Sequence, residues 1–158
     1  MDKKERRVVI TGLGVISSIG IGKDEFWSNL IKGKSGISKI ESFDTSEYDR
    51  HYGGEIKNFR AEEFIDRRRI KAMGRASQLA IAASRLALED AGLKLKDIPK
   101  EKTGVCVGTT MGEAQVMEKM DEAWTKRGDK GIDFKLIPQY PSNAITLNIS
   151  LEFKIKGR

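Results

Sequence analysis

A chain of 158 residues suits one domain, and a compact globule of that size buries about 68–70% of the surface its unfolded chain exposes. With 39% apolar and 33% charged residues the composition is globular but polar, which excludes a disordered chain. The formal charge is +6, yet 23 acids are spread among 29 bases, which argues against a general binder of nucleic acid or of an anionic membrane.

The β-branched run Val8, Val9, Ile10, Thr11 reads as a buried strand entering a turn at Gly12-Leu13-Gly14. Two glycines permit close approaches that a Cβ would forbid. A dinucleotide fingerprint of the G-x-G-x-x-G type fails here. Its third glycine position is Ser17, no helix pattern opens at the turn, and the first acids beyond, Asp24 and Glu25, do not end a second strand. Lys23 to Lys34 predicts a short helix on Phe26, Trp27, Leu30 and Ile31, with Gly33 and Gly36 as stop signals. Residues 35–60 lack sustained periodicity and read as a long ordered excursion. Met73 to Ala91 predicts a core helix whose small stripe, Ala76, Ala80, Ala83, Ala87 and Ala91, lets another element come close; Gly92 is its expected C′ residue.

A loop over Lys94–Lys102 follows. Thr103 to Thr109 then reads as a strand buried on both faces. Gly112 to Arg127 predicts a helix with Val116, Met117, Met120 and Trp124 on one side, and Lys126–Lys135 a charged connection. Ser142 is the expected N-cap of a last helix carrying Ile145, Ile149 and Phe153. This alternation fits an α/β architecture without internal repeats.

Cys106 is the only cysteine, so no internal disulfide forms and a reducing compartment is expected. Placed mid-strand between Val105 and Val107, it reads as a buried, inert thiol rather than a nucleophile. His51 reads as a solvated loop side chain. The longest uncharged runs, Val8–Gly22 and Ile137–Leu151, fall short of the roughly 18 residues of a membrane span. The start MDKKERR leads toward a strand, not a signal helix, so the cytoplasm is the expected location.

Several segments carry a resemblance in the same order. They are RRVVITGLGVISSIG from Arg6, FWSNLIKGKSGISKIESFDTSEY from Phe26, the basic stretch Ile65–Met73, ALEDAGL ending at Leu93, TGVCVGTTMG over Thr103–Gly112, and YPSNAITLNIS over Tyr140–Ser150. Together they resemble the type II β-ketoacyl-[acyl-carrier-protein] synthases, of the synthase II kind. The resemblance implies a thiolase-like fold, an αβαβα sandwich in the complete enzyme. Residues 1–158 would supply most of its amino-terminal half as an incomplete synthase domain that stops before the family's nucleophilic cysteine.

The implied reaction is a decarboxylating Claisen condensation in fatty-acid biosynthesis. A cysteine takes an acyl chain as a thioester, and two histidines and backbone N–H groups stabilise the enolate and oxyanion. No residue of this chain matches those groups, so the chain alone is expected to be inactive. By the resemblance, Met111 in Gly108-Thr109-Thr110-Met111-Gly112 gates the acyl pocket, although the family often has glycine where Thr110 and Glu113 stand. The run Arg67-Arg68-Arg69-Ile70-Lys71, with Arg75 beyond, matches the family's surface for the acidic carrier protein; Arg67, Arg68 and Lys71 are its candidates. The implied partners are acyl carrier protein and, in the complete enzyme, a second identical subunit. No metal or cofactor is implied beyond the carrier's phosphopantetheine arm, and no nucleic acid or membrane. A non-catalytic scaffold or partner subunit is the alternative; a nucleotide-binding α/β enzyme is weaker because the fingerprint fails.

Overall fold

The computed structural model describes residues 7–157. A tight antiparallel hairpin pairs β1 (Ile16–Ser17) with β2 (Gly20–Ile21) and leads into α1 (Lys23–Ile31). Within the excursion, β3 (Ser38–Lys39) pairs antiparallel with β4 (Tyr52–Gly53), a ladder that the aperiodic sequence did not announce. A 3₁₀ turn at Ala61–Glu63 precedes a one-turn helix α2 (Arg67–Ile70), then α3 (Arg75–Asp90), α4 (Ala114–Arg127) and α5 (Ala144–Phe153).

The core lies between α3 and α5. Ile81 of α3 meets Ile145, Ile149 and Phe153, which recur every four residues along α5 and so share one face. Ile65 and Met73 close one side, and Val105 and Val107 pack against the cluster. Helix α3 begins at Arg75 rather than Met73, because Met73 turns inward as part of the core instead of opening the helix. Gln78 donates to the carbonyls of Ile70 and Met73 and thereby fixes the α2–α3 turn. Gly92 follows α3 at φ +65°, the left-handed C′ conformation its sequence position predicts.

The small stripe on α3 admits another backbone, as expected. A Cβ on Gly12 would stand 2.1 Å from the Ala87 carbonyl oxygen, and one on Gly14 would stand 1.9 Å from that of Ala83. Backbone therefore lies directly on backbone where Gly12 and Gly14 cross Ala83, Ala87 and Ala91.

Two predicted strands are corrected. Val8–Thr11 forms no ladder among the described residues, and Val8 and Ile10 are 92% and 83% exposed. Thr103–Thr109 also lacks a ladder, and its burial alternates: Val105 and Val107 point inward while Cys106 is exposed, not buried. Strands hold only when neighbours take up their backbone groups, and apolar runs are covered only when a second layer lies over them. Neither segment finds both conditions here. The α4 stripe is likewise partial, with Val116 buried but Met117 and Trp124 exposed. At α5 the N-cap position belongs to Asn143, with no side-chain cap; Ser142 lies a residue too early and packs beside Gly112 instead.

The total accessible surface, 12374 Å², far exceeds the roughly 7,900 Å² of a compact monomer of 17.7 kDa. Burial on folding is thus about half of the unfolded surface, below the range that length alone implies. The excess is apolar in part: on α5, Leu147 and Leu151 are 52% and 58% exposed on the face opposite the core.

Gly14→Ala is expected to destabilise the chain by about 1–3 kcal/mol, since the added methyl must push a helix backbone away. Gly108→Ala, with nothing within 4 Å of its Cβ, is expected to be near neutral. Denaturant midpoints of the two variants compare the effects directly.

Candidate functional site

Three of the segments singled out in the sequence converge at the start of α3. The first is the basic stretch. Asp66 caps α2 by accepting the Arg68 N–H at 2.8 Å, which starts the one-turn helix and sets the arginines around it. Arg69 turns inward to an ion pair with Glu152 of α5, which also receives Arg85 at 2.7 Å. Arg75 donates to the Ile56 carbonyl at 2.9 Å and lies over the Phe59 ring, 5.7 Å from its centroid. Arg67, Arg68 and Lys71 remain exposed and have no ion-pair partner among the described residues. The run of cations thus divides into two side chains held by contacts within the chain, Arg69 half-buried and Arg75 exposed, and three exposed ones without such partners.

The second segment is the loop after Val107. Gly112 turns it at φ +57°, and its N–H donates to Thr109 Oγ1 at 3.0 Å. Met111 at the tip is 74% exposed. Two residues on, Glu113 is 3% exposed, and its carboxylate accepts the N–H groups of Ala76 at 3.1 Å and Ser77 at 2.7 Å. The third segment arrives from α5 and the turn before it. Asn148 donates to Ser77 Oγ at 3.0 Å, and Ser142 lies beside Gly112, where an added Cβ would stand 3.4 Å from Ser142 Cα. The α2–α3 junction, the Met111 loop and the 140–148 segment therefore meet around Ser77, which is fully buried.

Sequence reasoning missed Glu113, Ser77 and Asn148 as the parts that join these segments. A signal existed for Glu113: an acid standing where relatives of the resembled family often carry glycine. The two single reactive residues lie elsewhere. Cys106 is exposed on the outer side of its segment, and His51, in the excursion, has Nδ1 3.2 Å from Thr45 Oγ1.

The far end of α3 carries a second junction. Asp90, the acid of ALEDAGL, accepts the Leu13 N–H at 2.9 Å and an ion pair from Lys23. An acid at a helix C-terminus is disfavoured by the helix dipole. Here the Lys23 ammonium, followed by the Leu13 N–H, holds the carboxyl below its ordinary range, and the same pairing raises Lys23.

The family model described as "Beta-ketoacyl synthase, N-terminal domain" matches residues 5–158. The chain belongs to the β-ketoacyl synthase family. Two curated synthases called 3-oxoacyl-[acyl-carrier-protein] synthase 2 resemble it, at 34% identity in Staphylococcus aureus and 33% in Synechocystis sp., each over 98% of this chain and 37% of the relative. The solved ishigamide ketosynthase/chain length factor superposes with a TM-score of 0.88 at 36% identity, over 95% of this chain and 38% of that one. This β-ketoacyl synthase chain thus spans little more than a third of the length of those relatives, and its fold is the thiolase-like α/β fold of that superfamily. No helix among the described residues is long and apolar enough to cross a membrane.

The Asp90 junction predicts a specific pH dependence. A lowered carboxyl pKa contributes stability that is complete above the ordinary carboxylate range and is lost as pH falls through the folded value. The stability gap between the wild type and Asp90→Asn is therefore expected to be full at neutral pH and to close below about pH 4. Urea unfolding of both proteins across that range checks it; a gap independent of pH would remove the assignment.

Proposed function

We propose that the protein is a 3-oxoacyl-[acyl-carrier-protein] synthase of fatty-acid biosynthesis, with this chain supplying the acyl gate and part of the carrier-docking surface. The family match along nearly the whole chain, with relatives bearing that name, carries the reading. In the proposed reaction a cysteine thiolate displaces the carrier thiol from an acyl thioester. Malonyl-carrier protein then loses carbon dioxide, and its α-carbon attacks the acyl-enzyme carbonyl. The products are a 3-oxoacyl thioester on the carrier and the free cysteine.

This chain holds one cysteine, Cys106, and one histidine, His51, neither of which matches the family's reacting groups. Its own contribution is to bind and position. Arg67, Arg68 and Lys71 offer solvent-facing cations to an acidic carrier protein, where charge complementarity speeds encounter and sets orientation. Met111, flexible and exposed at the tip of its loop, suits a gate over an acyl chain delivered on the phosphopantetheine arm. The chemistry asks for no metal and no diffusible cofactor. We read the complete protein as a cytoplasmic homodimer. A second reading, a partner subunit without chemistry of its own, draws on the likeness to the ishigamide ketosynthase/chain length factor.

Incubating the complete protein with acyl- and malonyl-carrier protein separates these readings. Release of carbon dioxide with formation of a 3-oxoacyl-carrier product, detected by intact mass, is expected for the synthase. Carrier binding with no acylated protein and no product would favour the partner subunit.

Reversing Arg68 and Lys71 to glutamate is expected to slow carrier association by about tenfold at low salt, with a smaller effect at high salt. Stopped-flow binding at two ionic strengths reads it, and an unchanged rate would remove these residues from the docking surface.

A further inference from the structure

We propose that Glu113 is a positioning residue that latches the Met111 loop to the start of α3 by supplying the helix cap that Gly74 lacks. The gating part of this proposal rests on the acyl-gate reading of Met111 above; the latch itself does not.

A helix leaves its first N–H groups without intrahelical partners, and a side-chain oxygen at the N-cap position ordinarily accepts one of them. The N-cap of α3 is Gly74, which has no side chain. The Glu113 carboxylate, 36 to 37 positions away in sequence, takes both the Ala76 and Ser77 N–H groups instead. Its negative charge also sits at the favourable end of the helix dipole.

The two positions exclude one another sterically. A Cβ on Gly74 would lie 2.0 Å from Glu113 Oε2 and 2.4 Å from its Cδ, and the three nearest atoms to that Cβ all belong to Glu113. The cap can therefore be carried by residue 74 or by residue 113, but not by both. Carrying it at 113 has a mechanical consequence that a local cap lacks. Met111 is two residues upstream, so the helix start and the loop tip become one unit. The Glu113 carbonyl also accepts the Val116 N–H at 2.9 Å, which fixes the downstream end of the loop to α4. The freedom left to the gate is confined to Thr109–Gly112, where the Gly112 N–H rests on Thr109 Oγ1.

The test uses the full chain with Glu113→Ala, Gly74→Asp and the double variant, read by amide hydrogen exchange and by thermal unfolding. Glu113→Ala is expected to speed exchange at Ala76, Ser77 and Gly112 by roughly tenfold, the scale of a lost helix cap. In the double variant the carboxylate introduced at position 74 fits the vacated space, so Ala76 and Ser77 regain protection while Gly112 stays fast. Gly74→Asp is expected to lower the melting temperature in the wild type and to raise it in the Glu113→Ala background, a reversal of sign that only mutual exclusion produces. Unchanged Gly112 exchange in Glu113→Ala, its recovery in the double variant, or a harmless Gly74→Asp in the wild type would each overturn the latch. In the complete protein the loosened loop is expected to widen the range of acyl chain lengths accepted. Should the exchange results hold and that range stay fixed, the latch stands and the acyl-gate reading of Met111 fails.

Discussion

The structure depends on one helix being able to accept neighbours along its whole length. Helix α3 is rich in alanine, which gives it intrinsic helical stability and a surface low enough for another backbone to touch. Gly12 and Gly14 lie on that surface. Asp90 at its C-terminal end gathers the Leu13 N–H and Lys23, and Glu113 closes its N-terminal end. Arg85 from its flank reaches Glu152 of α5 and lies over the Phe153 ring, 5.5 Å from its centroid. Each segment bearing on function is placed by reference to this helix, so small side chains at Ala83 and Ala87 matter as much as the polar groups at its ends.

That arrangement explains how the basic stretch and the Met111 loop are brought side by side. The basic stretch immediately precedes α3, and the Met111 loop is tied to the first turn of α3 through one buried and one part-buried hydrogen bond to Glu113. Such bonds are worth more in a buried setting than on the surface, because breaking one strands a donor away from water. Arg67, Arg68 and Lys71, by contrast, face solvent and make no ion pair among the described residues.

The uncovered apolar surface is the other consequence of building around a single helix. The core between α3 and α5 uses one face of α5, and the opposite face presents Leu147 and Leu151. The segments at Val8–Thr11 and Thr103–Thr109 have the composition of central strands without the ladders of central strands. An element that is apolar on all sides is specified for burial between two layers, and among the described residues these two segments are not covered on both sides.

The amino-acid order by itself determined the helices over 23–31, 75–90, 114–127 and 144–153 to within a few residues, because their periodicity and glycine punctuation are local signals. It also determined that the glycines at 12 and 14 and the alanine stripe of α3 each permit a close approach, and the family, which rests on motif order; that the two meet one another was decided by the tertiary structure. Tertiary structure alone decided the rest. Whether Val8–Ile10 and Cys106 are buried depends on which layers cover them, and no local pattern encodes a neighbour. Which of the cations in 67–75 are held by the rest of the chain was set by Glu152, 83 positions from Arg69, and by the Ile56 carbonyl, 19 positions from Arg75. The pairing of Glu113 with Gly74 is a long-range complementarity of one side chain with one missing side chain, and it becomes visible only when the two residues are placed together.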